Sequence, residues 1–240
     1  MTLVVAAALA AFAGGAIQSV SGFGYALLVV PVLTVVSGPR VAVVVMTAIG
    51  VPLVIANGWR WRARLRHRMA VLLVGTALLG IPLGALFLRT ADERLLTATV
   101  GIVVIAMTIA IWRGLRVPPG TATLTTAGVL SGAFAASTGT NGPPVVIALD
   151  AEGLEPDAFR ATLQTVFALE GSLAFVTFIV NGFVTASLVP AIVAGLIAVA
   201  AGAVVGDRIA RRVDQARFRS IVLVTLAASG VLAVVSALTG

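Results

Sequence analysis

Two stretches decide how this chain folds: Gln18-Ser19-Val20-Ser21-Gly22-Phe23-Gly24-Tyr25 and Ser137-Thr138-Gly139-Thr140-Asn141-Gly142-Pro143-Pro144. Each interrupts a long apolar run with glycine and small polar residues. Each is followed by an apolar segment, near 23–36 and 143–150, too short to cross a bilayer upright. Backbone groups freed by such a break inside lipid must be satisfied by protein, water or ligand. In the second stretch, Pro143 suits the first turn of a new helix and Asn141 or Thr140 its N-cap; in the first, Ser21 or Gly22 is the expected cap of the helix that carries Pro31. Each break is therefore expected to present a helix N-terminus, with unpaired N–H groups and roughly half a positive charge. Such ends bind anions.

The surroundings of the breaks are those of a membrane protein. The chain is 60% hydrophobic and 10% charged, with a mean hydropathy of +1.12, whereas soluble domains are about 45–50% apolar and about 25% charged. Apolar runs mark ten segments, near 3–21, 23–36, 40–57, 69–89, 93–112, 121–138, 143–150, 158–180, 185–206 and 218–238. The N-terminus has no basic residue before its apolar run and reads as a retained first helix. No cysteine and a single histidine, His67, leave no expectation of a metal site or cofactor. The net charge of +7 comes entirely from arginines. They gather at segment ends, where lipid headgroups rather than nucleic acid are the natural partner.

Those arginines set an expected orientation. With the 59–68 loop placed in the cytoplasm, Arg60, Arg62, Arg64, Arg66, Arg68, Arg113, Arg116, Arg160, Arg208, Arg211, Arg212, Arg217 and Arg219 are inside, and only Arg40, Arg89 and Arg94 outside. Both termini then face out, and the expected location is the plasma membrane. A repeat lies beneath this pattern. Gly15 and Gly22 recur 117 residues later as Gly132 and Gly139, and Pro39 as Pro156. Gly80, Gly84 and Asp92 recur 122 residues later as Gly202, Gly206 and Asp214. Equivalent loops differ in charge: the basic 59–68 loop matches the uncharged 181–187 loop, and the balanced 89–94 loop matches the basic 207–219 loop. The expected fold is an all-α integral membrane protein built as an inverted-topology repeat of two five-segment halves, 1–117 (with the cytoplasmic loop 59–68) and 118–240, each with a broken or re-entrant short helix near its start.

The candidate substrate-binding residues follow from the breaks: Gln18, Ser19, Ser21, Gly22, Gly24, Tyr25, Thr138, Gly139, Thr140, Asn141 and Gly142. They supply backbone, hydroxyl and amide donors without a fixed positive charge, which suits a small oxyanion held weakly enough to be released. Glu170 is the one acidic residue well inside a span, and intramembrane carboxylates are costly and commonly functional; it is the candidate for proton coupling. Gln164, six residues earlier on the same helix, points about 240° round from it and is not expected to share its pocket. Trp59, Trp61 and Trp112 read as interfacial anchors, and His67 as solvated surface among arginines.

At Ser21-Gly22-Phe23-Gly24 and Thr138-Gly139-Thr140-Asn141-Gly142-Pro143-Pro144, and at the later Gly-x3-Gly helices, the chain resembles the TauE/SafE family of sulfite exporter-like membrane permeases, over essentially its whole length. The resemblance implies export of sulfite or a related organosulfur anion, with the two glycine-rich segments as the substrate elements. The expected function is a secondary transporter that moves a small sulfur oxyanion by alternating access. A small-anion channel, or a permease for sulfoacetate or thiosulfate, is the alternative. Expected partners are the bilayer and the anion, with protons as candidate coupling ion and a homodimer as candidate assembly. A membrane enzyme would need a nucleophile, metal ligands or an acid/base cluster, which the sequence lacks.

Overall fold

The computed structural model describes residues 1–113 and 117–210, without the side chains of Val20, Ser21, Met107, Thr108, Ala110, Ile111, Trp112 and Ala210. The expected tenth segment at 218–238, Arg116 and the arginines from Arg211 onward lie outside the described residues, as do the side chains of Ser21 and Trp112. The described part is helical: α1 (Thr2–Ser21), α2 (Tyr25–Ser37), α3 (Pro39–Trp61), α4 (His67–Thr90), α5 (Glu93–Trp112), α6 (Thr121–Ser137), α7 (Gly142–Ala151), α8 (Pro156–Val180) and α9 (Val189–Ala210), with 3-10 turns at Arg62–Arg64 and Ala186–Leu188. Five helical stretches are long and apolar enough to cross a membrane.

Local chemistry explains the boundaries. Pro39 and Pro156 open α3 and α8, where their missing N–H costs nothing. Asp92 Oδ1 accepts the Leu95 amide at 2.7 Å at the start of α5. Hydroxyls within the spans donate to carbonyls four residues back, as Thr165 does to Ala161 and Ser172 to Ala168, so they enter lipid already paired. Two expected boundaries shift. The 59–68 loop is shorter, because α3 runs on to Trp61 and α4 begins at His67; there Arg62 stacks its guanidinium 4.4 Å from the exposed Trp59 ring. The ninth segment starts at Val189 after a 3-10 turn rather than at 185.

Glycines set the helix pairing. A Cβ on Gly202 would strike the Phe12 carbonyl, and one on Gly206 the Ala16 carbonyl, so α1 and α9 lie backbone to backbone. A Cβ on Gly80 would strike the Val129 carbonyl, and one on Gly84 the Ala133 carbonyl, so α4 and α6 do the same. Phe12 and Ala16 stand 117 residues before Val129 and Ala133, and Gly80 and Gly84 stand 122 before Gly202 and Gly206. The exchange is reciprocal: Gly15 meets the Val199 carbonyl and Gly132 the Ala77 carbonyl, the same two offsets again. In both pairs the contacts advance in the same direction along the two helices, so each pair is parallel.

Loop contacts sort the helix ends into two sets. At one end Arg60 pairs with Asp207 at 3.3 Å, the Arg66 amide donates to Thr162 Oγ1 at 3.1 Å, and the Gly120 amide donates to Glu152 Oε1 at 2.7 Å. At the other, Arg40 Nε donates to the Leu88 carbonyl at 2.9 Å and Gly38 adjoins the Glu93 carboxylate. Because α1 runs parallel to α9, which ends at the Arg60–Asp207 bridge, α1 starts at the Arg40 end, and the α1–α2 pair leaves from and returns to that end. Because α6 runs parallel to α4, the α6–α7 pair leaves from and returns to the Arg60 end. The two broken hairpins thus enter from opposite ends. Gly84→Val and Gly206→Val should each destabilise the protein by about 1–3 kcal/mol, read as earlier thermal unfolding in detergent. Gly75→Ala, which meets nothing within 4 Å, is the control and should melt as the parent.

Candidate functional site

The first break is a reversal that needs two left-handed residues, and glycine supplies both. Gly22 (φ 80°) ends α1, its amide donating to the Gln18 carbonyl at 2.8 Å, and Gly24 (φ 99°) precedes α2. The expected cap, Ser21 or Gly22, is therefore displaced: the N-cap residue of α2 is Gly24. It has no side chain, so Gln18 takes over the capping. Its Oε1 accepts the Tyr25 amide at 3.3 Å, while its Nε2 donates to the Gly22 carbonyl at 3.3 Å and lies 3.4 Å from Gln164 Oε1. Gln164 Nε2 donates to the same Gly22 carbonyl at 2.6 Å. The next two amides of α2, those of Ala26 and Leu27, have no carbonyl four residues back within the helix.

The second break is satisfied differently. Asn141 occupies the N-cap position of α7, as expected, but its side chain makes no cap. Its Nδ2 donates instead to Glu170 Oε2 at 2.8 Å, and Ser131 Oγ lies 2.7 Å from Glu170 Oε1. Thr138 and Thr140 pair their hydroxyls at 2.7 Å across Gly139 (φ 68°). Pro143 and Pro144 carry no N–H, so this helix end offers fewer backbone donors than the sequence reading assigned to it; side chains make up the difference.

Between the breaks lies a cavity of about 70 Å³. Gln18, Gly24, Tyr25, Gly139, Thr140, Asn141 and Gly142 are on its wall. Gly22, Thr138 and Glu170 stand behind it, each bonded to a wall residue or to Gln164, which holds Gly22. Ser19, half-buried on the last turn of α1, is not on it. Twelve of the eighteen wall residues form six pairs 117 apart: Gln18 and Ala135, Phe23 and Thr140, Gly24 and Asn141, Tyr25 and Gly142, Gly50 and Phe167, Val54 and Gly171. The cavity is therefore walled by positions 117 residues apart, drawn from both parts of the chain. No charged side chain is on its wall, so an ion there is held by dipoles and hydrogen bonds.

The model of the family described as Sulfite exporter TauE/SafE matches residues 7–233. The chain belongs to the sulfite exporter TauE/SafE family. This is a family of membrane transporters, not of enzymes. No curated protein and no solved structure matches the chain.

For this TauE/SafE chain, sequence reasoning missed Gln164, Ser131 and the third-helix residues of the wall, Thr47, Gly50, Val54, Phe167 and Gly171. The 117-residue offset links Gly50 to Phe167 and Val54 to Gly171, a signal that was present; nothing in the sequence marks Ser131. Gln164 does stay apart from Glu170 on α8, one serving the first break and the other the second, but both stand behind the same cavity, Gln164 through Gln18 and Glu170 through Asn141. The two lie about 9 Å apart along α8, on either side of its middle. Gln164→Ala strips a buried donor from the Gly22 carbonyl and should lower stability by about 1–3 kcal/mol, seen as a lower melting temperature in detergent.

Proposed function

We propose that the protein is a secondary transporter exporting a small sulfur oxyanion, sulfite above all, bound in the cavity between the two breaks and exposed to each side in turn. The observation that carries this reading is the cavity's wall of positions paired 117 residues apart, an uncharged and mainly apolar chamber with a few amide and hydroxyl groups on it. In this reading the halves are an inverted repeat related by an axis in the membrane plane, and the two hairpins entering from opposite ends support it. The chain sits in the plasma membrane with both termini outside, as the arginine distribution favours. An interior-negative potential then drives the anion out by about 2.3 kcal/mol per charge per ~100 mV.

The anion is held by the Ala26 and Leu27 amides, the Gly142 amide, the Thr140 hydroxyl and Asn141. Glu170 is the proton carrier. Ser131 Oγ lies 2.7 Å from Glu170 Oε1 and 3.0 Å from the Gly128 carbonyl, and a hydroxyl has one hydrogen to give. With Glu170 ionised, Ser131 donates to the carboxylate. With Glu170 protonated, the acid donates to Ser131 and Ser131 donates to Gly128, while Oε2 still accepts from Asn141. Either state leaves the network paired. Protonation also removes a negative charge beside the anion, so proton and anion are bound together.

Purified protein in liposomes should catalyse saturable sulfite counterflow, and ohmic currents without counterflow would identify a channel instead. Asn141→Ala should weaken sulfite binding by about 1–3 kcal/mol; an unchanged dissociation constant removes Asn141 from the site. Raising the pH should weaken sulfite binding to the parent protein more than to Glu170→Gln. Sulfite's own ionisation affects both proteins equally, so parallel pH profiles would exclude Glu170 as the carrier.

A further inference from the structure

The six wall pairs are not alike. At two of them the halves exchange an aromatic ring for a glycine. In the first half the ring is on the short helix, Tyr25 of α2, and the glycine is on the following helix, Gly50 of α3. In the second half the glycine is on the short helix, Gly142 of α7, and the ring is on the following helix, Phe167 of α8. A Cβ on Gly50 would lie 2.7 Å from Tyr25 Cε1, and one on Gly14 of α1 would lie 2.8 Å from Tyr25 Cδ2. The phenol ring is thus clamped between α1 and α3, and its hydroxyl donates to the Met46 carbonyl at 3.4 Å. In the second half, a Cβ on Gly142 would lie 3.5 Å from Phe167 Cζ. Tyr25 fills the notch left by Gly50, Phe167 stands at contact distance from Gly142, and both rings form part of the cavity wall.

We infer that Tyr25 and Phe167 are a two-ring size filter that confines the site to compact inorganic sulfur oxyanions and shuts out organosulfonates. The inference rests on reading the cavity as the anion site. Its physical basis is that both rings are buried in packed surroundings, Tyr25 most tightly. Tyr25 is 4% exposed and wedged against two helix backbones, and Phe167 is 8% exposed and faces the Gly142 backbone. A ligand that extends past the cavity on the side of the rings must displace one of them, and close-packed surroundings resist that displacement. Sulfite or thiosulfate fits a chamber of about 70 Å³. Sulfoacetate adds a two-carbon carboxylate arm, which meets mainly apolar wall.

The chain has no cysteine, so Thr47→Cys introduces a single thiol on the cavity wall. The thiol is probed with methyl methanethiosulfonate and with the bulkier sulfonatoethyl methanethiosulfonate, which needs no knowledge of the transported anion. The small reagent should modify the thiol and the bulky one should react at least tenfold more slowly. Adding Phe167→Leu, or separately Tyr25→Leu, should raise the bulky reagent's rate at least tenfold with little change for the small one. In liposomes the same two substitutions should raise the ratio of sulfoacetate to sulfite transport. Phe167→Leu conserves most of the buried volume and keeps the test usable if Tyr25→Leu unfolds. Equal reaction of both reagents with the parent thiol, no reaction with either, or unchanged rates in Phe167→Leu would overturn the filter. A parent protein that shows the reagent selectivity but moves no sulfite would retain the filter and reject the transport reading.

Discussion

Polar backbone freed inside lipid has no water to turn to, and that constraint shapes the centre of this molecule. Both hairpins stop being helical in the interior, and each must then find partners for the groups it releases. The first break does so with two glutamines from different helices. Gln18 caps the new helix from the old one, and Gln164 reaches across from α8 to the Gly22 carbonyl. The second uses prolines to remove donors, and a threonine pair and the Asn141–Glu170–Ser131 chain for the rest. The arrangement that satisfies the backbone also leaves a chamber between the breaks, lined by their outward faces.

The glycine notches determine which helices can move together. α1 is seated on α9 and α6 on α4 by carbonyls that lie where a Cβ would otherwise be. Pulling either pair apart would lose close backbone packing along a whole face, and lipid offers no hydrophobic gain in return. Any rigid-body motion must therefore carry α1 with α9 and α4 with α6. Each such unit joins a hairpin helix from one sequence half to a spanning helix from the other, so any body that moved would cross the boundary between the halves. α3 and α8, which pack against each other, carry the third-helix wall residues and form the surface about which such units can shift.

The scaffold was legible in the sequence to the extent that it is made by periodic and local signals. Apolar runs located the described helices to within a few residues, with the largest errors at α9, which starts after a 3-10 turn, and at α3, where an arginine- and tryptophan-rich stretch continues the helix into the expected loop. The repeat offset, read from Gly15, Gly22, Pro39 and their mates, also relates the wall residues of the cavity. What stayed hidden depends on contacts between distant elements. The rotation of α8 correctly separates Gln164 from Glu170, but it does not reveal that the first break lies beside one and the second beside the other. The cap at Asn141 shows a related limit: its position follows from local chemistry, whereas its side chain is claimed by a carboxylate twenty-nine residues away.

In the proposed transport reading, the unequal walls follow from what a twofold site must accomplish with one ligand. Perfectly duplicated breaks would offer an asymmetric anion two equivalent poses and would give both hairpins the same chemistry. Here the repeat mates of Ser131, Glu170 and Asn141 are Gly14, Leu53 and Gly24, none of which carries a polar side chain. The space that a serine occupies in one half is held open by Gly14 in the other, and the Tyr25 ring packs there. One break therefore contributes backbone amides beside a fixed ring, while the other contributes side-chain donors backed by a titratable carboxyl. Positions 117 apart make up most of the chamber's wall, and the differences between mates at a few wall and backing positions give its two sides different chemistry.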